Sequence, residues 1–235
     1  MTEKPLSAGQ LDALRRLSSC VVASTIETFG VRLRNTGFTD SRIRCLFGES
    51  PPLVGYAATA RIRTADPPME GRSYYARTDW WNHIQSIPEP RVVVIEDVDS
   101  PPGLGAFVGE VHANILRALG CAGLVTNGAA RDLPQVRETG FQVFAGNVSV
   151  SHAYAHVFDF GKEVEVGGLR VRPGDLIHGD LHGVQTVPLA IAEKIPEAAS
   201  RILHKRALLT ASCRSSSFSL EEFRKTILEL DRSRP

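Results

Sequence analysis

Cysteine is scarce and scattered: Cys20, Cys45, Cys121 and Cys213 are the four in a chain of 235 residues, and no two form a C-x-x-C pair. That spacing excludes a cysteine-built zinc module. A chain long enough for a real core needs no disulfide framework, so reduced thiols in a cytoplasmic setting are expected. Net charge is nearly absent too, with 27 basic against 26 acidic residues, which gives no electrostatic case for nucleic acid as a partner. No apolar run approaches the ~20 residues that cross a bilayer. Residues 1–18 also lack the apolar centre of an export signal, so no membrane association is expected. Two catalytic signatures are missing as well. Without a G-x-G-x-x-G after a strand, or any G-x-S-x-G, a Rossmann nucleotide pocket and a serine hydrolase have no support.

What remains is an ordinary globular composition, 43% hydrophobic and 23% charged, arranged in an alternating α/β rhythm. Ser7 and Gln10 have capping-box spacing ahead of Leu11, Leu14 and Leu17. A second helix begins near Ser19, turns Val22, Ile26 and Phe29 inward, and stops at Gly30. Residues 31–52 read as a long connection, 53–62 as a strand, 74–84 as an aromatic helical stretch and 91–95 as a buried strand. Next come a helix over 109–119 stopped by Gly120, a strand over 122–126 and a turn at Asn127-Gly128. A short helix over 132–139 and a strand over 141–145 complete this stretch. Such alternation implies parallel strands with crossover helices. Residues 163–175 read as β-ribbon, and the chain after Pro188 as helical. A final helix opened by Ser219 and Glu222 carries Leu220, Phe223, Ile227 and Leu230 on one stripe. The expected division is one domain over 1–210 and a helical extension over 211–235.

Residues 109–132 are richest in chemistry. Ligands of open α/β sheets gather beyond the carboxyl ends of strands and at helix N-termini, and the segment after strand 122–126 delivers Asn127, Gly128, Arg131 and Asp132 there. Arg131 has the planar fork that grips a carboxylate, and Asp132 is a hard oxygen ligand for a divalent ion. Gly109-Glu110 opens a helix whose first N–H groups suit the same anion. The competing reading makes Arg131 and Asp132 a helix cap paired with surface charge. His152 and His156 have the spacing of two ligands on one helical face; without a third ligand, pocket lining is the preferred role. His178, Asp180 and His182 alternate as on one strand face, where a structural hydrogen-bonding role leads. Glu96, Asp97 and Asp99 read as solvated loop charge, and Trp80 and Trp81 as core or subunit contact.

With those residues in view, the sequence resembles the RraA-like proteins, which include 4-hydroxy-4-methyl-2-oxoglutarate aldolases. The family carries an acidic residue, twenty intervening positions, then Arg-Asp, and Glu110, Arg131 and Asp132 keep that spacing. G-C-A-G at 120–123 and N-G-A-A-R-D at 127–132 resemble its flanking pattern. So do G-G-L-R-V at 167–171, P-G-D at 173–175 and G-D-L-H-G-V at 179–184. The resemblance covers roughly residues 10–205 and is far more specific than any single motif. It implies a layered α/β/β/α sandwich of the swivelling β/β/α-domain type with the helical C-terminal extension.

The resemblance also implies roles. Asp132 would bind Mg²⁺ or Mn²⁺ through a largely water-filled shell, and Arg131 would bind the carboxylate of the pyruvate unit. Glu110 would position a water. Backbone amides from Gly109 through Glu110, Val111 and His112 would share the carboxylate. Apart from the resemblance, the positions of Asn127, His152 and His156 after their strands make them candidates to line the pocket. Relatives with Gln in place of the last Asp bind and inhibit a ribonuclease, and this chain keeps Asp132. Two positions depart from the pattern. Asn127 stands where the family usually has Asp, and residues 200–206 lack the glutamate that aldolases lend to a neighbouring subunit's site. The expected function is metal-dependent C–C cleavage of a 4-hydroxy-2-oxo acid, releasing pyruvate, with oxaloacetate decarboxylation as a side activity. The alternatives are a regulatory protein that binds a ribonuclease or another protein, and an aldolase-like enzyme for a different 2-oxo acid. The expected assembly is a homo-oligomer, a trimer or hexamer.

Overall fold

The computed structural model describes residues 4–68 and 78–232, so the expected aromatic helix at 74–84 lies partly outside the described residues. Helix α1 (Ala8–Arg15) begins where the capping box predicts. The Ser7 hydroxyl accepts from the Gln10 N–H at 3.3 Å, and the Gln10 side chain accepts from the Ser7 N–H at 2.8 Å. Such a cap contributes about 1 kcal/mol. Helix α2 (Ser19–Thr28) is capped by Ser18, and Gly30 beyond it takes φ 63°, a conformation that favours glycine. There follow β1 (Arg44–Cys45), β2 (Leu53–Arg63), α3 (Thr78–Ser86), β3 (Arg91–Asp97), β4 (Ala106–Val108), α4 (Glu110–Ala118), β5 (Cys121–Ala130), α5 (Leu133–Glu138) and β6 (Gln142–Val148). The remainder comprises β7 (His156–Phe160), β8 (Val164–Val166), β9 (Leu169–Val171), β10 (Leu176–Asp180), β11 (Gly183–Val187), α6 (Leu189–Ala192), α7 (Ile195–Arg214) and α8 (Leu220–Arg232).

The strands form one mixed sheet in the order β1-β6-β5-β3-β2-β10-β11, with β4 added to β5 and β7 to β2. Strands β2, β3, β5 and β6 are parallel, as the alternation implies, with α3, α4 and α5 in the crossovers. Side chains of β3 alternate between two cores. Val93 and Ile95 face the helices along with Leu124, Leu116 and Ile26. Val92 and Val94 face the hairpin β8–β9, packing with Val125, Phe144, Val164 and Leu169. Burial on both faces explains the unbroken valine run. The result is a helical layer, the main sheet and a two-stranded layer, with α7 packed on α2 and α8 as the C-terminal helical extension. No described helix is long and apolar enough to cross a membrane.

Three local expectations are corrected. Asn127-Gly128 is not a turn: β5 runs through it to Ala130, and one extra residue is absorbed between Thr126 and Ala129 as a bulge against β6. The reason is that β5 keeps neighbours on both sides beyond Thr126, namely β6 and β4, so its ladder continues. His152 and His156 do not share a helical face, because they lie in a loop and at the start of β7. His182 lies beyond β10 in the turn before β11, so the alternating trio is not all on a strand. His178 and Asp180 do serve the structure. The Asp180 carboxylate accepts from the Ser19 N–H at 2.8 Å, and the His178 ring lies 3.1 Å from the Ser19 hydroxyl, pinning α2 to β10.

Candidate functional site

Three strands end side by side. Val108 and Val148 flank Ala130 in register, the Arg131 N–H donates to the Val108 carbonyl at 2.9 Å, and the Ser149 N–H donates to the Ala130 carbonyl at 3.1 Å. Just past this edge lie Gly109 and Glu110 at the start of α4, Arg131 and Asp132 before α5, and Ser149 and Val150 after β6. Glu110 and the Arg131-Asp132 pair, with twenty residues between them in sequence, are thus brought together by two neighbouring strand ends.

Asp132 takes a left-handed backbone, φ 52° and ψ 39°, a region that aspartate tolerates better than most residues. Although it occupies the N-cap of α5, its side chain makes no capping hydrogen bond. The carboxylate points instead to α4: one oxygen accepts from the Glu110 N–H at 3.3 Å and the other from Arg131 Nε at 3.2 Å. The capping reading therefore fails for Asp132. Gly109 makes this possible, since a Cβ there would lie 2.4 Å from the Asp132 oxygen. Its φ of −134° is open to any residue, so the requirement is for space.

On the first turn of α4, Glu110 and Val111 are exposed while His112 is buried. The His112 ring packs on Phe107 at 5.2 Å between centroids, and burial, reinforced by His152, pushes its pKa down to about 3. Only the backbone of His112 is therefore left to serve an anion. His152 does reach this edge: its Nδ1 lies 3.2 Å from the Ala106 carbonyl, and Ser151 accepts from the Ala106 N–H at 2.8 Å. Gly105 lets the loop approach, because a Cβ there would meet the His152 carbonyl at 2.2 Å. His156 is carried elsewhere, paired across from Arg63 on β2, with Nδ1 2.7 Å from the Tyr154 carbonyl.

Asn127 spends both ends of its amide on the backbone of Asp97, accepting from its N–H at 2.7 Å and donating to its carbonyl at 2.9 Å. A carboxylate at 127 could not make the second bond. The amide is therefore explained by the β3–β5 junction. Sequence reasoning missed this clamp, as it missed Phe107 and the demand for space at Gly109. An Asn-Gly pair inside an apolar run was the one available signal for the clamp.

A cleft of about 1090 Å³ meets these residues only at Asn127 and Val148. Arg42, Arg44, Glu96, Asp99, Asn127 and Asn147 line it, and neither Glu110, Arg131 nor Asp132 does. Several of its charges are already engaged, Arg42 by Asp40, Glu96 by Arg61 and Asp99 by the Thr64 N–H. Volume alone does not outweigh the open chemistry at the strand ends.

A divalent ion can be tested against the donors present. Among the described residues no group of three or more His, Cys, Asp and Glu could form a closed cage, which disfavours a zinc-type site. Asp132 nevertheless offers a half-exposed carboxylate with one weak contact per oxygen, in space that Gly109 keeps clear. Such a donor fits a hard ion that retains most of its waters and takes one or two carboxylates, as Mg²⁺ does.

Comparison with known proteins bears on this geometry. A family model described as RraA-like, Aldolase/RraA, matches residues 19–185. A relative from Halalkalibacterium halodurans, named "Putative 4-hydroxy-4-methyl-2-oxoglutarate aldolase", is 30% identical over 154 residues, covering 65% of this chain and 68% of the relative. Among solved structures, Streptomyces coelicolor RraAS2, described as an unusual member of the RNase ES inhibitor RraA protein family, superposes with a TM-score of 0.68. It is 22% identical, with 90% of this chain and all of that one covered. A structure described among novel cellulases from gut-associated microbes gives a TM-score of 0.74 at 19% identity, over 88% of this chain and 90% of that one. At these identities the two structures speak for the fold alone.

Proposed function

The chain belongs to the RraA-like, Aldolase/RraA family, and from that premise we propose that it is a divalent-metal-dependent lyase. It cleaves the C3–C4 bond of a 4-hydroxy-2-oxo acid to release pyruvate, and decarboxylates oxaloacetate as a side activity. The observation that carries the reading is the meeting of Glu110, Arg131 and Asp132 at one sheet edge, with Asp132 turned away from its own helix.

Asp132 would hold Mg²⁺ or Mn²⁺. The ion, when bound, draws electron density from the 2-oxo group as negative charge develops there. Arg131 spends Nε on Asp132, so its two terminal nitrogens are the pair that grips the substrate carboxylate in parallel bonds. The amides of Val111 and His112 add donors at the positive end of α4, beside the Glu110 N–H that holds the Asp132 carboxylate. Exposed Glu110 accepts the proton of the C4 hydroxyl through a water as the C3–C4 bond breaks and the C4 carbonyl forms. The same proton, or one from solvent, is returned to C3, which becomes the methyl group of pyruvate. Atoms balance with no further reactant.

Assembly is part of the proposal. Leu220, Leu228 and Ile227 of α8 remain exposed on the single chain, and a second copy that covers them gives the homo-oligomer, a trimer or hexamer. The division into a catalytic unit over 1–210 and a helical extension is proposed with it, as is a cytoplasmic setting. The deciding experiment incubates the protein with Mg²⁺ or Mn²⁺ and a panel of 4-hydroxy-2-oxo acids plus oxaloacetate, and measures pyruvate. Turnover that chelation abolishes is expected. No pyruvate from any substrate, with binding to a ribonuclease instead, would favour the regulatory alternative.

A further inference from the structure

The surroundings of this strand edge differ in character from its centre, and we infer that the substrate's distal half, beyond C4, is apolar and uncharged. This deepens the lyase reading and rests on it. Apolar side chains ring the edge while staying in solvent: Val111 beside Glu110, Val148 in register with Ala130 and also lining the neighbouring cleft, Val150 two residues on, and Leu104. Their relative exposures run from 53% to 94%. Ser149, between Val148 and Val150, ties this segment to its neighbours, its hydroxyl donating to the Leu104 carbonyl and its N–H to the Ala130 carbonyl. Exposed single apolar residues are commonplace, but a cluster that frames a polar centre marks a binding surface.

Charge supports the same conclusion. A diacid brings a second carboxylate, which needs a second cation once Arg131 has taken the first. Over residues 104–154 the other basic groups are elsewhere. Arg137 lies over the Phe47 ring at 6.0 Å, Arg117 sits beside Gly140 toward the far end of α4, and the His112 ring is buried. His152 has one ring nitrogen at the Ala106 carbonyl. Outside that stretch Arg42, paired with Asp40, and Arg44 line the neighbouring cleft, which includes none of Glu110, Arg131 and Asp132. What the edge does present beside the substrate is Glu110, another carboxylate, which disfavours a second anion. A 4-hydroxy-2-oxo monoacid with an alkyl or aryl group on C4 meets neither difficulty and covers the apolar rim. Its cleavage yields pyruvate and an apolar aldehyde or ketone.

The test pairs turnover with binding, so that the two readings fail separately. With Mg²⁺ present, kcat/KM is compared for 4-hydroxy-2-oxohexanoate, 4-hydroxy-4-phenyl-2-oxobutanoate and 4-hydroxy-4-methyl-2-oxoglutarate. Calorimetry compares 2-oxohexanoate with 2-oxoglutarate, neither of which can undergo the cleavage. The monoacids are expected to lead by roughly tenfold in both measurements, and Val150→Arg, on a fully solvated tip, is expected to narrow that lead at least to about threefold. Equal or reversed preference overturns the inference. A Val150→Arg protein that sediments differently while keeping its preference overturns it too, and gives the rim to a second copy of the chain. A monoacid preference in binding with no pyruvate released sinks the lyase reading and leaves the apolar rim standing.

Discussion

Two carboxylates sit at strand ends of the same sheet, Asp180 closing β10 and Asp132 just after β5, and their surroundings differ in one respect that matters. Asp180 is saturated: it accepts from the Ser19 N–H, the His182 N–H and the His182 ring at 2.8 to 3.0 Å, and these bonds hold its pKa below the usual carboxylate range against the cost of burial. Asp132 has one contact per oxygen, at 3.3 and 3.2 Å, and a clearing in front of it. The first is spent on holding α2 to the sheet. The second has capacity left over. Unused bonding capacity, more than residue type or burial, separates a carboxylate available for chemistry from one committed to the fold.

Substitutions at both positions should sort accordingly. Asp132→Ala is expected to lower metal-dependent turnover by about a hundredfold or more, with the melting temperature nearly unchanged. Full activity in that protein would falsify the role. Asp180→Ala should behave oppositely. It orphans the buried Ser19 N–H and removes a buried acceptor, costing roughly 2–3 kcal/mol, which a denaturant titration will show, while kcat of the folded fraction holds.

His112 sharpens the contrast by pH. Its folded pKa of about 3 lies below the unfolded value, so between pH 6.5 and 3 the unfolded chain binds the extra proton and stability falls as pH falls. From pH 6.5 to 5 this amounts to roughly 2 kcal/mol. His112→Leu should flatten the stability profile over that interval, and an unchanged slope would show that the loss arises elsewhere. Asp180 contributes its share lower, where pH falls through its own depressed pKa.

Arg131→Lys keeps the charge and loses the fork, so KM for a 2-oxo acid should rise about tenfold. An unchanged KM would leave the amides of α4 as sufficient. The smallest effect is expected from removing α8 after Ser215: the sedimentation coefficient should drop while the circular dichroism of the remaining chain keeps its sheet signal. A monomeric full-length protein at micromolar concentration would remove the reason for the experiment.

Much of this was legible in the sequence because the signals were local. The Ser7–Gln10 box, the glycine stop at Gly30, the valine run of β3 and the hairpin turn at Gly167-Gly168 each act over a few residues. The spacing of Glu110 to Asp132 was equally readable, since a helix and a strand of ordinary length return the chain to the same edge. What could not be read depended on partners far along the chain. Asn127-Gly128 has the chemistry of a turn, and only the strands on either side of β5 make it a bulge. His152 and His156 have helical spacing, and the pull of β4 on one and β2 on the other separates them. The α8 stripe announced a helix without saying what would cover it.

The bulge carries a final implication, one of parity. Between Thr126 and Ala129 strand β5 spends three steps where β6 spends two, from Ala145 to Asn147. Because successive side chains in a strand point to opposite faces, bulging that odd residue out lets Ala129 and Ala130 rejoin the ladder opposite Asn147 and Val148. Deleting Gly128 would restore an unbroken ladder and leave the sheet's valines where they are. It would also leave Arg131 and Asp132 at the same edge, because Ala129 and Ala130 keep Asn147 and Val148 as partners. Pairing the extra residue without a bulge, by contrast, would slip the register by one and turn both side chains away from Gly109 and the start of α4. The placement of two charged groups thus depends on a single count, kept by an asparagine and a glycine that touch neither of them.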